Sequence, residues 1–117
     1  MTRFNGEKVL MRIFIGENDS LGHRPLYEVL VEFFKREGFA GATVLRGVAG
    51  FGANSVFHTD KLLRLSLDLP IVIEVVEGKE KIDAVMPRID EMMSGGGMIT
   101  LEKATVIRYS HRQEPGE

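Results

Sequence analysis

The sequence contains no cysteine, and that absence removes disulfide bridges, thiolate zinc sites, iron–sulfur clusters and cysteine nucleophiles together. A cytoplasmic protein is the expectation. Long apolar runs are missing as well: no stretch approaches about eighteen uninterrupted apolar residues, and no apolar segment stands behind the start Met1–Glu7. Neither a membrane span nor an export signal is expected. Nor is there an excess of charge of one sign, because fifteen Lys and Arg stand against seventeen Asp and Glu for a net −2. Without a global positive field a nucleic-acid backbone is not held, and any smaller anion must be bound locally. Chemical motifs are also scarce. His23, His58 and His111 show no metal-ligand spacing, and Ser55 and Ser66 lack a Gly-x-Ser-x-Gly context.

What is present is 117 residues, 44% of them hydrophobic, enough for one domain with a real core and too apolar for disorder. The expectation is a single domain over 1–117, ordered from about 8 to 110, with a short polar C-terminal tail. Thirteen of the residues are glycine, where about eight would be usual. Lys8–Ile15 alternates as a first strand, with Val9, Met11, Ile13 and Ile15 on one face and Leu10, Arg12 and Phe14 on the other. Gly16–Gly22 is turn-like, and Pro25 fits a first helical turn. Leu26, Val29, Leu30, Phe33 and Phe34 then follow at helical spacing until Gly38 can stop the helix. Ala42–Val48 and Pro70–Val76 read as strands. Ile82, Val85, Met86, Ile89, Met92 and Met93 mark a second helix, in which Pro87 demands a kink or a later start. Met98–Tyr109 is a last strand with a possible break near Glu102 and Lys103.

The order β-α-β, β-α-β predicts an α+β, ferredoxin-like (βαββαβ) fold, an antiparallel four-stranded sheet with two helices on one face. A sheet open to water on its other face should alternate cleanly between apolar and polar residues. Here Arg12 and Glu74 are the only strong polar interruptions in their strands, and they are placed to pair with each other. The second face therefore needs a cover, and another copy of the chain is the expected one.

The glycines cluster at Gly47–Gly52 and Gly95–Gly97, without a nucleotide fingerprint. Such loops can aim backbone N–H groups at a phosphate, or serve only as caps and turns. Arg108, with His111 and Arg112, is either an anion contact or charge protection for an edge strand; Arg46 and Arg64 carry the same two readings. The Met-rich stripe Met86, Met92, Met93 and Met98 reads as core filling. An RNA-binding sheet would need aromatics on its central strands, and Pro70–Val76 has none. Acyl-phosphate hydrolysis would need a basic loop after the first strand, where Gly16-Glu17-Asn18-Asp19 is acidic.

Gly16-Glu17, Pro25-Leu26-Tyr27-Glu28, Gly41-Ala42-Thr43-Val44-Leu45-Arg46-Gly47, Gly50-Phe51-Gly52 and Leu65-Ser66-x-Asp68-Leu69-Pro70-x-Val72-x-Glu74, recurring in order, resemble the uncharacterised PII-like proteins of domain of unknown function 190. More distantly, Gly41-x-Thr43-Val44, Gly50-Phe51-Gly52 and Leu69-Pro70 are similar to the nitrogen-regulatory PII signalling proteins. The resemblance implies a trimer of ferredoxin-like subunits with sheets facing inward, and an adenine nucleotide (ATP, ADP or AMP) bound in clefts between subunits. It implies Thr43, next to Gly41, against the adenine, and Gly50, Phe51 and Gly52 at the base of a partner-binding loop beside the nucleotide. Gly95, Gly96 and Gly97 would take the place of the phosphate loop, and Arg108 would reach phosphate from the neighbouring subunit. Met98 stands where the PII loop carries a lysine, which implies weaker binding or a di- or monophosphate. The loop 53–64 is short and has no tyrosine to be uridylylated, which argues against control of ammonium assimilation. A regulatory protein rather than an enzyme is implied, with an unidentified protein partner, a membrane transporter or channel being one kind. The alternative is a CutA-type trimeric scaffold that shares fold and assembly but binds metal or only protein partners.

Overall fold

In the computed structural model, which describes residues 2–52 and 68–111, the alternating segment around Met11 becomes the middle of a sheet. The elements in chain order are β1 (Thr2–Gly16), β2 (Ser20–Leu21), β3 (Arg24–Pro25), α1 (Leu26–Arg36), β4 (Thr43–Arg46), β5 (Pro70–Glu77), α2 (Lys79–Met92) and β6 (Met98–Ser110). The main sheet runs β4-β5-β1-β6 with every neighbouring pair antiparallel. Each helix thus crosses from one strand to a strand two places away, which is the split βαβ arrangement expected of a ferredoxin-like fold.

Strand period sorts the side chains. Met11, Ile13 and Ile15 of β1 and Ile71, Ile73 and Val75 of β5 are buried on one face, under Leu26, Leu30, Phe33 and Phe34 of α1 and Ile82, Val85 and Ile89 of α2. Met86, Met92 and Met93 pack at the rim of the same cluster, the gap-filling place that suits an unbranched side chain, whereas Met98, expected with them, is not core: its register opposite Phe14 turns it to the other sheet face. Truncating the fully buried Phe34 would remove contacts to both Phe33 and Phe39, whose ring centroids lie 5.7 and 4.8 Å away.

Several boundaries differ from expectation, each for a physical reason. β1 begins six residues before Lys8, at Thr2, because β6 is long enough to pair with all of it, from Thr2↔Ser110 to Phe14↔Met98. β6 is unbroken at Glu102 and Lys103: both residues sit opposite β1, at Leu10 and Val9, and Glu102 is drawn across to Arg12. α2 starts at Lys79 and runs through Pro87; the proline is exposed, so the carbonyl it leaves unpaired can be met by water. Pro25 is the N-cap of α1 rather than part of its first turn. Within the expected turn, β2 and β3 form a short hairpin around Gly22 and His23. Gly38, at φ +77°, ends α1 as expected. Residues 53–67, which include Ser55, His58, Arg64 and Ser66, lie outside the described residues, as does Arg112.

The opposite sheet face carries Leu10 and Phe14 of β1, Val72 and Val76 of β5, Leu45 of β4 and Met98 of β6, assigned to it by register. Leu45 and Met98 are about half exposed (49% and 55%). At its centre Arg12 donates Nε–H to Glu74 at 2.8 Å and pairs with Glu102 across the other edge of β1. Hydrogen bonding to Glu74 raises the Arg12 pKa, opposed by partial burial. The expected Arg12–Glu74 pair is present, with Glu102 as a third member.

On the outer surface Arg88 of α2 reaches Glu37 at the end of α1 with two hydrogen bonds of 2.7 and 2.8 Å, while its guanidinium carbon lies 5.0 Å from the Phe33 ring centre. The Arg88 hydrogen bonds hold the Glu37 pKa below its usual value against some desolvation. A carboxylate with a lowered folded-state pKa contributes stability that is complete above the unfolded value and lost as pH falls through the folded one. Arg88→Met is therefore expected to lower the thermal midpoint at neutral pH, with the gap from wild type closing as the pH drops below about 4. A gap that persists at low pH would assign the loss to packing on Phe33 instead of to charge.

Candidate functional site

The end of the sheet where β1 and β4 leave and β5 and β6 enter is built by main-chain bonds. Glu17 N–H donates to the Leu69 carbonyl and Gly47 N–H to the Pro70 carbonyl, both at 2.8 Å. Two aspartates hold the turn after β1: Asp19 accepts from Gly16 N–H at 2.9 Å and Asp68 accepts from Asn18 N–H at 2.8 Å. Gly16 is tight here, since a Cβ would lie 2.6 Å from an Asp68 carboxylate oxygen. Arg46 is held by Glu17 at 2.7 Å, which makes it a brace of this end rather than a free anion contact.

These connections enclose a cavity of about 290 Å³ lined by Phe14, Phe51, Gly52, Pro70, Gly97 and Met98, with Asp19 and Asp68 at its polar side. The expected residues Phe51, Gly52 and Gly97 are brought together here. Gly50 borders the same corner, with Pro70 3.1 Å from where its Cβ would stand. Among the described residues no Lys or Arg lines the cavity. A phosphate placed here would meet two carboxylates already engaged by main-chain N–H groups, so its neutralising charge has to come from elsewhere.

The rest of the expected set lies in a second, more open cleft of about 650 Å³. Gly41, Thr43 and Arg108 line it, together with Phe4, Lys8, Lys81, Glu74 and Glu77. Its cations are what the first cavity lacks. Lys81 is occupied by the Gly38 carbonyl at 2.6 Å and by Glu77 at 3.8 Å, and Glu77 also accepts from Ala40 N–H at 2.8 Å. Of the nine expected ligand residues, Phe51, Gly52 and Gly97 line the first cavity and Gly41, Thr43 and Arg108 the second, while Gly50, Gly95 and Gly96 line neither. Met98 pairs with Phe14 and Arg108 with Phe4, so along β1 Arg108 stands tens of ångströms from the first cavity, at roughly 3.3 Å per residue, whereas Thr43, level with Arg12 through Glu74, is only two residues from Phe14.

The glycines separate by what requires them. At Gly97 φ is +136° and a Cβ would meet Met93 Cε at 2.5 Å and the Phe14 carbonyl oxygen at 3.1 Å, so the packing at the start of β6 alone explains it. Gly96 is at φ +113°. By contrast, a Cβ at Gly41, Gly52 or Gly95 would meet nothing within 4 Å among the described residues, and no left-handed φ applies to them. Sequence reasoning missed Asp19, Asp68, Phe14 and Met98 as cavity walls and Phe4 and Lys8 as walls of the second cleft. The one available signal was Asp19 in an acidic turn, where an Asx carboxylate commonly caps a nearby N–H. Among the described residues no group of three or more His, Asp or Glu is arranged to hold a metal ion, and no described helix is long and apolar enough to cross a membrane.

The model of the family DUF190, described as "Uncharacterized ACR", matches residues 8–106. A UPF0166 protein of Aquifex aeolicus is 39% identical over 101 residues, covering 86% of this chain and 94% of its own. One from Methanocaldococcus jannaschii is 33% identical over 99 residues, covering 85% and 91%. Among solved structures, CPII of Thiomonas intermedia K12 bound to ADP and bicarbonate aligns with a TM-score of 0.62 at 14% identity, over 90% of this chain and 91% of that one. A putative PII-like signaling protein from Thermus thermophilus aligns at 0.55 and 19% identity, over 89% and 91%. At such identities the likeness is one of fold.

The two kinds of glycine behave differently under substitution. Gly97→Ala is expected to cost about 1–3 kcal/mol of unfolding free energy, and Gly95→Ala to stay within about 0.5 kcal/mol, both read by denaturant titration. Equal costs would show that the two positions carry the same packing constraint.

Proposed function

This chain belongs to the DUF190 family, and from that premise we propose that it is a PII-like regulatory protein, not an enzyme, that binds an adenine nucleotide between subunits of a homotrimer. The carrying observation is the division of labour between the two clefts. One cavity supplies glycine backbone and aromatic and thioether walls, with carboxylates and no cation among the described residues; the other supplies Thr43 and the cations. A nucleotide needs both kinds of surface, a flat apolar slot for the base and positive groups for the phosphates. One chain holds Arg108 at the far end of β1 from the apolar cavity, and two chains meeting through their exposed sheet faces can bring that cation to a neighbour's cavity. The half-exposed Leu45 and Met98 support such a meeting, because a mostly apolar sheet face is the kind of surface a second copy covers.

Glycines 41, 52 and 95, which no steric demand among the described residues forces to be glycine, fit close approach by a ligand or a neighbouring subunit. CPII, with the same fold, is bound to ADP and bicarbonate in one structure and to ADP, AMP and bicarbonate in another, which supports ADP or AMP as the ligand class to test first. Phe51 and Gly52, which line the cavity, immediately precede the segment 53–64 in the sequence, so ligand state and partner contact would be coupled there. The partner is a protein, with a membrane transporter or channel as one kind.

Calorimetric titration with ATP, ADP and AMP tests the nucleotide; binding by none of them at millimolar concentration would sink the proposal and leave a nucleotide-free scaffold of the CutA type. Arg108→Ala is expected to weaken the affinity by about 1–3 kcal/mol, the range for a hydrogen bond to a charged group, and unchanged affinity would remove Arg108 from the site.

A further inference from the structure

Beyond Val9, among the described residues, only β6 pairs with β1, so Thr2–Lys8 and Ala104–Ser110 form a two-stranded ribbon that extends past the end of β5. On the face shared with Arg12 its residues are Phe4, Gly6 and Lys8 on one strand and Val106 and Arg108 on the other, with Phe4 directly opposite Arg108. Gly6 leaves room for an unusual packing: a Cβ there would lie 2.8 Å from the Phe4 ring. The ring therefore lies over the glycine, along the strand toward Lys8. The Lys8 Nζ is 5.0 Å from the ring centre and the Arg108 guanidinium carbon 5.9 Å.

Two cations gathered on one aromatic ring repel each other, and among the described residues no acid forms an ion pair with either. Arg12, Arg46, Lys81 and Arg88 are each paired with a carboxylate, whereas Lys8, which is half-buried, and Arg108 make no ion pair among the described residues. The carboxylates that line the same cleft are held by other groups, Glu74 by Arg12 and Glu77 by Ala40 N–H and Lys81. An arrangement that concentrates positive charge and withholds the local acids is completed by an anion with more than one negative oxygen.

We propose that Lys8 and Arg108, set by the Phe4 ring over Gly6, form a two-cation clamp for the phosphates of a nucleotide seated against the neighbouring subunit. The inference rests on the nucleotide-binding reading above and adds Lys8 to it, from the strand next to the one that carries Arg108. It also assigns the ligand class: a polyphosphate engages both cations, a monophosphate fewer of their donors. Lys8 thus supplies the second positive charge that the Gly95–Gly97 turn, followed by Met98, does not carry.

Titration of the full-length protein with ADP at low and high salt, for wild type, Lys8→Gln, Lys8→Arg and Arg108→Gln, with light scattering to record assembly, tests this. Lys8→Gln is expected to weaken ADP about tenfold, to flatten the dependence of affinity on salt, and to leave the oligomer intact, with Lys8→Arg restoring most of the affinity. If wild type binds ADP and Arg108→Gln weakens it while Lys8→Gln does not, the clamp is overturned and the nucleotide reading stands. A loss in Lys8→Gln that is the same at every salt concentration, or that accompanies a change in assembly, makes Lys8 a structural residue and overturns the clamp as well. Failure of wild type to bind ADP overturns the clamp, and failure to bind ATP and AMP as well overturns the nucleotide reading.

Discussion

Strand β1 is hydrogen-bonded along both edges, to β5 through Val9–Gly16 and to β6 through Thr2–Phe14, and this double pairing sets the position of everything with a functional bearing. Because side chains alternate with a period of two, a single register fixes which residues face the helices and which face outward; a slip of one residue would exchange the two sets. Burial of Met11, Ile13 and Ile15 under both helices makes such a slip very costly. The same register then delivers Arg12 between Glu74 and Glu102, Phe14 beside Met98, and Phe4 opposite Arg108. Core packing and the arrangement of the outer sheet face are therefore two sides of one constraint.

The charge distribution follows an equally simple logic. A near-neutral chain has no diffuse field with which to attract an anion, so any anion it bound would have to be met by unpaired positive charge at particular places. Several cations here are matched: Arg46 braces Glu17, Arg88 ties α1 to α2 through Glu37, and Lys81 closes the end of α1 at the Gly38 carbonyl. Exposed pairs of this sort are each worth little, commonly about 0–1 kcal/mol, and their effect is to order loops and helix ends. Lys8 and Arg108 stand outside that scheme, on a ribbon that few neighbours support. A two-stranded ribbon is marginal by itself, and contact with a neighbouring subunit would give it both stability and purpose.

Glycine illustrates how one residue type can carry unrelated duties. Gly97 answers to close packing against Met93 and the Phe14 carbonyl, Gly6 to the Phe4 ring that lies over it, and Gly16 to the Asp68 carboxylate. Gly41, Gly52 and Gly95 meet no such demand from the described residues. In sequence all six look alike. Of the Gly95–Gly97 run, read as a phosphate loop or as a plain turn, the structure accounts for the last member by packing, and no Cβ clash among the described residues explains the first.

Periodicity alone determined the two helices, the four main strands and the facing of their side chains, because a 3.6-residue or two-residue repeat of apolar residues has few stable solutions. It also placed Arg12 and Glu74 on adjacent strands before any coordinates were needed. What it could not supply were distances between segments far apart in the chain: that Asp68 would buttress Gly16, that Glu102 would complete the Arg12 cluster, or that Lys8 would share a ring with Arg108 from the far end of the chain. Element lengths suffered for the same reason, since β1 extends to Thr2 only because β6 is there to pair with it. Local pattern encodes which way a side chain faces, while the companions it meets are decided by strand order and register, which exist only once the chain has folded.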